Sequence, residues 1–198
     1  MGRIGFVRHG VTQWNKEARV QGDSDTSLDE EGRQQAQLLR DTLEAADWDR
    51  IYVSPQLRAE QTAEILNAKL HKPLHTDARL REASFGLIEG TNEQERVQTW
   101  GTDWHKQDLG YETRARVIER GLAVLDEVSR NHPDENVLVV SHGTFIKHLL
   151  TELMPQAEMS GSLDNTSLTL LTKDADGWHC DLYNDTRHLP ESALFHKG

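Results

Sequence analysis

Apolar positions along the chain fall into two patterns that alternate. Ile4-Gly5-Phe6-Val7, Ile51-Tyr52-Val53 and Val137-Leu138-Val139-Val140 are short, unbroken apolar runs bounded by polar or turn residues, as expected of strands covered on both faces. Between them the spacing changes to three and four. Asp29 stands as an N-cap before Ala36, Leu39 and Leu43, which predicts a helix with one apolar stripe. Gly32 in its first turn costs about 1 kcal/mol relative to alanine. Ser54-Pro55 places a capping hydroxyl before a proline at the first helical position, and Ala59, Ala63, Leu66 and Leu70 then mark a second helical face. Thr91 and Gln94 fit a capping box for a shorter helix toward Trp100. Val117, Gly121, Leu125 and Val128 mark a longer helix closed by Pro133, and Phe145, Leu149 and Leu153 a further one.

Strands alternating with helices of this length require right-handed crossovers and a largely parallel sheet. The tail differs, because two strand-like runs, Leu168-Thr169-Leu170-Leu171 and Trp178-His179-Cys180-Asp181-Leu182, flank Asp176-Gly177 and predict a hairpin. The expected fold is therefore α/β, three α/β/α layers around a mostly parallel central sheet with an antiparallel edge. No repeat, low-complexity tract or Pro/Gly-rich linker divides residues 1–198, which read as one domain.

Composition narrows the partners. With 22 Lys+Arg against 33 Asp+Glu the net charge is −11, which repels nucleic-acid phosphates and anionic lipid. No run approaches the roughly 18 apolar residues of a membrane span, and Met1-Gly2-Arg3-Ile4-Gly5 enters patterned sequence without a signal peptide's apolar segment. The single Cys180 excludes an intrachain disulfide framework. A cytoplasmic protein is expected, and homo-oligomerisation is left open.

Candidate chemistry gathers where predicted strands end. Arg8-His9-Gly10 follows the first strand, Arg58 falls in the first turn after the second, and His142-Gly143 follows another. In an open α/β sheet, ligands bind beyond the carboxyl ends of the strands, so these distant residues would share a pocket. Two arginines supply planar forks matched to phosphate oxygens, and a neutral imidazole can attack phosphorus or donate a hydrogen bond. Each also has a plainer reading: Arg8 as a surface ion-pairing residue, Arg58 as a solvated side chain held by Glu60 or Glu64, and His142 as a helix cap. No His-Glu-x-x-His, P-loop or EF-hand spacing occurs, so neither a metal-dependent nor a nucleotide-triphosphatase route has motif support.

Taken in order, these segments resemble the histidine phosphatase superfamily, in the branch of cofactor-dependent phosphoglycerate mutases and small phosphatases. The resemblance runs through Phe6-Val7-Arg8-His9-Gly10-Val11-Thr12-Gln13-Trp14-Asn15, Ser54-Pro55-Gln56-Leu57-Arg58-Ala59, Arg79-Leu80-Arg81-Glu82, Val139-Val140-Ser141-His142-Gly143 and Asn165-Thr166-Ser167. It implies that His9 is the nucleophile that becomes phosphohistidine, that Arg8, Arg58 and His142 clamp the phosphoryl oxygens, and that Glu82 protonates the leaving alkoxide. It also implies a phosphate contact from Asn15 and no metal or other cofactor, and the Thr144 backbone N–H, at the start of the helix after His142, is placed to add another. Residues 91–112 correspond to the insertion that covers the substrate. Mutases carry an adjacent arginine pair and a lysine there, whereas this stretch offers only Arg96, His105 and Lys106. Trp100, Trp104 and Tyr111 could wall the substrate or form the core of the cover itself. Gly110-Tyr111-Glu112-Thr113 stands where many relatives carry Gly-Glu-Ser, and Glu89 and Glu112 are the other carboxylates near the cover. The expected activity is hydrolysis of a small phosphate ester; the alternatives are mutase-type transfer and phospho-ligand binding without catalysis.

Overall fold

The computed structural model describes residues 2–157, 159 and 161–190. Six strands form one sheet in the order β3-β2-β4-β1-β5-β6. They are β1 Ile4–Arg8, β2 Arg50–Val53, β3 Leu74–Thr76, β4 Val137–Ser141, β5 Leu168–Lys173 and β6 Trp178–Asp185. The β1, β2, β3 and β4 pairings are parallel, while β5 runs antiparallel to β1 and β6 antiparallel to β5. The expected hairpin thus forms the antiparallel edge. At the opposite edge, β3 has no counterpart in the sequence reading, because its three residues are all exposed and leave no apolar signal.

Alternation along the buried strands sends side chains to both faces, which makes two cores. Ile4, Phe6, Val137 and Val139 face helices α5 (Arg114–Asn131) and α6 (Gly143–Leu153), meeting Val124, Phe145 and Leu149. Val7, Ile51, Val53 and Val140 face α2 (Glu30–Thr42) and α3 (Leu57–Leu70), meeting Leu39, Ala63 and Leu66. A short helix α1 (Gln13–Lys16) follows the first loop, and α4 (Glu93–Trp100) lies within the 91–112 stretch. No helix among the described residues is long and apolar enough to cross a membrane.

Three local expectations shift. Asp29 does cap α2, accepting from Gly32 N–H at 2.8 Å. The glycine is required by tertiary contact, since a Cβ there would lie 2.0 Å from the Val11 carbonyl oxygen. The capping box of α4 is Asn92 with Glu95 instead of Thr91 with Gln94, one residue later. Ser54 does not cap α3, whose N-cap is Gln56; its hydroxyl instead meets His142.

The parallel register decides where the site forms. Arg8 pairs with Ser141 across β1 and β4, and Val53 with Val140 across β2 and β4. The residues that follow, His9, His142 and Ser54, therefore emerge together from the carboxyl ends of three neighbouring strands.

Candidate active site

His9 leaves the sheet with its N–H on the Ser141 carbonyl at 3.0 Å and is 3% exposed. Its Nδ1 donates to the Gly10 carbonyl at 2.7 Å. A carbonyl can only accept, so the proton of the neutral ring sits on Nδ1 and the Nε2 lone pair is left free. Burial, then the nearby charges of Arg58 and Arg8, hold His9 well below the ordinary histidine range, which keeps it uncharged at neutral pH. From behind, Asn165 Nδ2 donates to the His9 carbonyl at 2.9 Å and Thr166 N–H to the Arg8 carbonyl at 2.9 Å, with Thr166 at φ +56°. A β-branched residue in that region is a strained backbone position.

His142 stands beside His9, ring centroids 5.2 Å apart, and is also buried. It occupies the N-cap position of α6, but its ring makes no cap hydrogen bond. Its Nε2 meets Ser54 Oγ at 2.7 Å, which leaves Nδ1 unpartnered. Burial and the charge of Arg58 lower its pKa strongly as well.

Arg58 is fully buried at the second position of α3. Neither Glu60 nor Glu64 holds it; Nη1 donates to the Ser24 carbonyl at 2.7 Å and Nη2 to the Gly22 carbonyl at 2.8 Å. Burial pulls its pKa down to about 10, still charged at pH 7. Arg8 donates from Nη1 to the Leu163 carbonyl. Gly143 makes room for it, since a Cβ there would lie 3.2 Å from Arg8 Nε. Arg8 Nε, Arg58 Nε and His142 Nδ1 are buried without a hydrogen-bond partner among the described residues. Such groups are rare in folded proteins, and three in one place mark a site built for an oxygen-rich anion.

Glu82 approaches from the loop after the single-turn helix at Ala78–Leu80. Its Oε1 accepts from Phe145 N–H at 2.8 Å and Ala83 N–H at 2.9 Å, and its Oε2 from Thr144 N–H at 3.0 Å. The Thr144 amide, expected to be free for phosphate, is therefore engaged by this carboxylate. Glu82 N–H donates to Gln56 Oε1 at 2.8 Å, while Gln56 Nε2 donates to the Gly22 carbonyl at 2.8 Å, so one buried amide joins the Glu82 and Arg58 loops. Asn15 uses Oδ1 to accept from Thr12 N–H at 3.1 Å in the capping box of α1, and its Nδ2 meets no described residue.

Glu82 lines two cavities. The larger, about 400 Å³, is bordered by Asp23, Arg81, Tyr111, Arg116 and Arg120; the smaller, about 240 Å³, by Arg8, Thr144, Lys147 and Leu163. Arg81 pairs with Asp23, and Arg120 with Glu112 at 3.0 Å, while Arg116 makes no ion pair with a described residue. Within the 91–112 stretch, Arg96 lies 4.8 Å from the Trp104 ring and Trp104 Nε1 donates to Glu93 at 2.9 Å. Trp104 is thus tied to α4, and of the three aromatics only Tyr111 borders the larger cavity. Glu89 accepts from Phe85 N–H at 2.8 Å and Asp23 N–H at 3.0 Å, a loop tie rather than a free acid. The sequence pointed to no role at the site for Gln56, Arg116 or Arg120, and gave Ser54 only a helix cap. Gln56 and Ser54 lay inside a quoted motif; nothing local marked the two arginines. Among the described residues no group of three or more His, Cys, Asp or Glu could hold a metal ion.

Two buried neutral histidines tie stability to pH. Unfolded histidine takes up a proton below about pH 6.5 and these folded ones do not, so the unfolded state binds more protons as pH falls. Stability is full above pH 6.5 and declines below it, by up to about 1.4 kcal/mol per pH unit for each ring. Urea melts at pH 7.5 and 5.5 should show a smaller loss for His142→Gln than for the unaltered protein. An identical loss would mean that His142 is not held neutral.

The family profile of the histidine phosphatase superfamily (branch 1) matches residues 4–186. Uncharacterized phosphatase PhoE of Bacillus subtilis (strain 168) is 32% identical over 192 residues, covering 96% of this chain and 97% of its own. Phosphoglycerate mutase-like protein 4 of Arabidopsis thaliana is 31% identical over 207 residues, covering 98% and 90%. Among solved structures, Bacillus stearothermophilus YhfR superimposes with a TM-score of 0.85 at 31% identity, over 95% of this chain and 99% of that one. A mycobacterial glucosyl-3-phosphoglycerate phosphatase complexed with VO3 gives 0.83 at 28%, over 93% and 99%. The chain belongs to the histidine phosphatase superfamily. Within it, relatives named as phosphatases stand beside others named as mutases.

Proposed function

We propose that the protein is a phosphomonoesterase that transfers the phosphoryl group of a small organic ester to His9 and then to water. The observation that carries this is the free Nε2 of a neutral His9 beside the unpartnered donors of Arg8, Arg58 and His142. In the first step Nε2 attacks phosphorus as the P–O bond to the leaving group breaks, and Glu82 gives its proton to that oxygen. The Arg8 and Arg58 guanidinium groups and His142 Nδ1–H meet the charge on the equatorial oxygens. Ser54 Oγ accepts from Gln56 N–H at 3.3 Å, so its own proton can be given to His142 Nε2, which places the ring proton on Nδ1. In the second step water attacks phosphorus as the P–Nε2 bond breaks, Glu82 takes the water's proton, and inorganic phosphate leaves with His9 restored to its neutral form. Asn15 Nδ2 is a further phosphate donor.

Hydrolysis is favoured over mutase transfer because the cover's Arg96 is used internally and Lys106 pairs with Asp103. Around the larger cavity, Asp23 and Glu112 neutralise Arg81 and Arg120. A mutase needs several cations to hold a small polyanion in two orientations and to exclude water. The cationic phosphate clamp stands where a metal would otherwise neutralise charge, and the reading is metal-independent. It further takes residues 1–198 as one domain with 91–112 as its cover. A cytoplasmic location is supported by the lone Cys180, and the net charge of −11 disfavours nucleic acid and anionic membranes as partners.

A panel of phosphate esters assayed with and without EDTA tests this. Inorganic phosphate should be released in both conditions, with little isomerisation of 3-phosphoglycerate in the presence of 2,3-bisphosphoglycerate. Isomerisation faster than phosphate release would make the protein a mutase, and a strict, reversible need for a divalent cation would overturn the metal-free scheme.

A further inference from the structure

Arg120 lies in the middle of α5 and does not border the smaller cavity beside Arg8, yet every N–H of its guanidinium is used. Nε and one Nη2 hydrogen go to the two oxygens of Glu112, both at 3.0 Å. The two Nη1 hydrogens go to the carbonyls of Arg79 and Arg81, each at 2.6 Å, and the second Nη2 hydrogen to the Glu82 carbonyl at 3.1 Å. Five donors meet five acceptors, which is the full capacity of the side chain. Three of those acceptors are backbone atoms of the segment that carries Glu82. The guanidinium also lies 5.0 Å from the ring of Phe145, whose N–H holds Glu82 Oε1. Glu112, at the end of the cover, returns to the same loop: its N–H donates to the Ser84 carbonyl at 2.8 Å and its Oε2 accepts from Ser84 N–H at 3.3 Å.

We propose that Arg120 is a positioning residue that aims Glu82 at the leaving-group oxygen, and that the Glu112–Arg120 pair links the substrate cover to this acid. The physical case is one of geometry. The buried Leu80 side chain and the Ser141 hydroxyl on the Leu80 carbonyl anchor one point of this loop, while the carbonyls of Arg79, Arg81 and Glu82 are gripped by one planar fork, which a point charge cannot reproduce. Proton transfer in the transition state demands placement within hydrogen-bond reach, so a small shift of the loop weakens the acid while leaving His9 and the phosphate clamp in place. Glu112, one of the carboxylates near the cover, is thereby assigned to holding Arg120. Burial raises its pKa, but the hydrogen bonds and charge of Arg120, together with the Ser84 N–H and the charge of Arg116, outweigh this and keep it below the usual carboxylate range.

This inference rests on the phosphomonoesterase reading, and a leaving-group comparison separates the two. An alkyl alkoxide needs a proton in the transition state, whereas p-nitrophenolate largely does not. Phosphoenzyme formation should be followed in single turnovers with 3-phosphoglycerate and with p-nitrophenyl phosphate. Arg120→Gln should slow the alkyl ester by about tenfold or more and the aryl ester by less than about threefold. Arg120→Lys should fall in between, and in a Glu82→Gln background neither substitution should change the alkyl-to-aryl ratio further. Glu112→Gln, which leaves the three carbonyl bonds intact, should shift the ratio in the same direction by less, and it carries the test if Arg120→Gln fails to fold. Equal slowing of both esters, or a further change of ratio without the Glu82 carboxylate, would overturn the role of Arg120. A wild-type protein that releases phosphate from neither ester would instead overturn the phosphomonoesterase reading itself.

Discussion

Replacing His9 by alanine is expected to lower kcat by at least about 10⁴-fold and to remove any trapped phosphoenzyme, because the covalent route loses its nucleophile. The expectation is specific to this ring. Among the described residues its side chain hydrogen-bonds only to the adjacent Gly10 carbonyl, so the substitution removes Nε2 without freeing a distant partner there. The neighbouring His142 does not replace it, since its Nε2 is held by Ser54 Oγ and its Nδ1 is committed, in the proposed scheme, to donating to the phosphoryl group. Rapid quenching of the unaltered protein with a labelled ester should yield an acid-labile, base-stable adduct that His9→Ala lacks. Because burial keeps His9 uncharged, the acid limb of kcat/KM should lie below pH 6.5. Normal turnover in His9→Ala, or a label that survives in it, would remove His9 as nucleophile.

The second large effect concerns Arg58. Arg58→Lys should lose about 10²-fold or more in kcat/KM, corresponding to roughly 2.7 kcal/mol at 25 °C, because lysine keeps the charge but loses the fork that reaches phosphate through Nε. The family resemblance implies a phosphoryl clamp at this position, and the tertiary structure adds a second duty. Its Nη groups hold the Gly22 and Ser24 carbonyls inside a fully buried site. Arg58→Ala should therefore lower Tm as well as activity, since it leaves two carbonyls unsatisfied and opens a cavity. Arg58→Lys, assayed below its own Tm, separates the two roles: near-normal kinetics in that folded variant would place Arg58 outside the phosphoryl site.

Much of this molecule was written locally. The apolar runs at 4–7, 51–53 and 137–140 became the three central strands, and the stripes through Ala36 and Leu39, Ala63 and Leu66, and Val117 and Leu125 became the buried faces of α2, α3 and α5. Period-two and period-3.6 burial is a property of short segments, so it survives in the sequence. The placement of Arg8, His9, Arg58 and His142 at strand ends was legible for the same reason, once parallel order brought those ends together. Local rules were degenerate elsewhere: Thr91 with Gln94 and Asn92 with Glu95 both satisfy the capping box, and the structure uses the second.

What only the tertiary structure decided is how the polar groups are satisfied. Gly32 is required by the Val11 carbonyl, Arg58 is held by the carbonyls of Gly22 and Ser24, and Arg120 by those of Arg79, Arg81 and Glu82. The Thr144 amide is taken by a carboxylate 62 residues away in the chain. Every amino acid carries the same carbonyl, and every one but proline the same N–H, so such partners leave no mark in the order of side chains. Side-chain pattern therefore determines which residues can do the chemistry, and chain packing determines which backbone atoms hold them still.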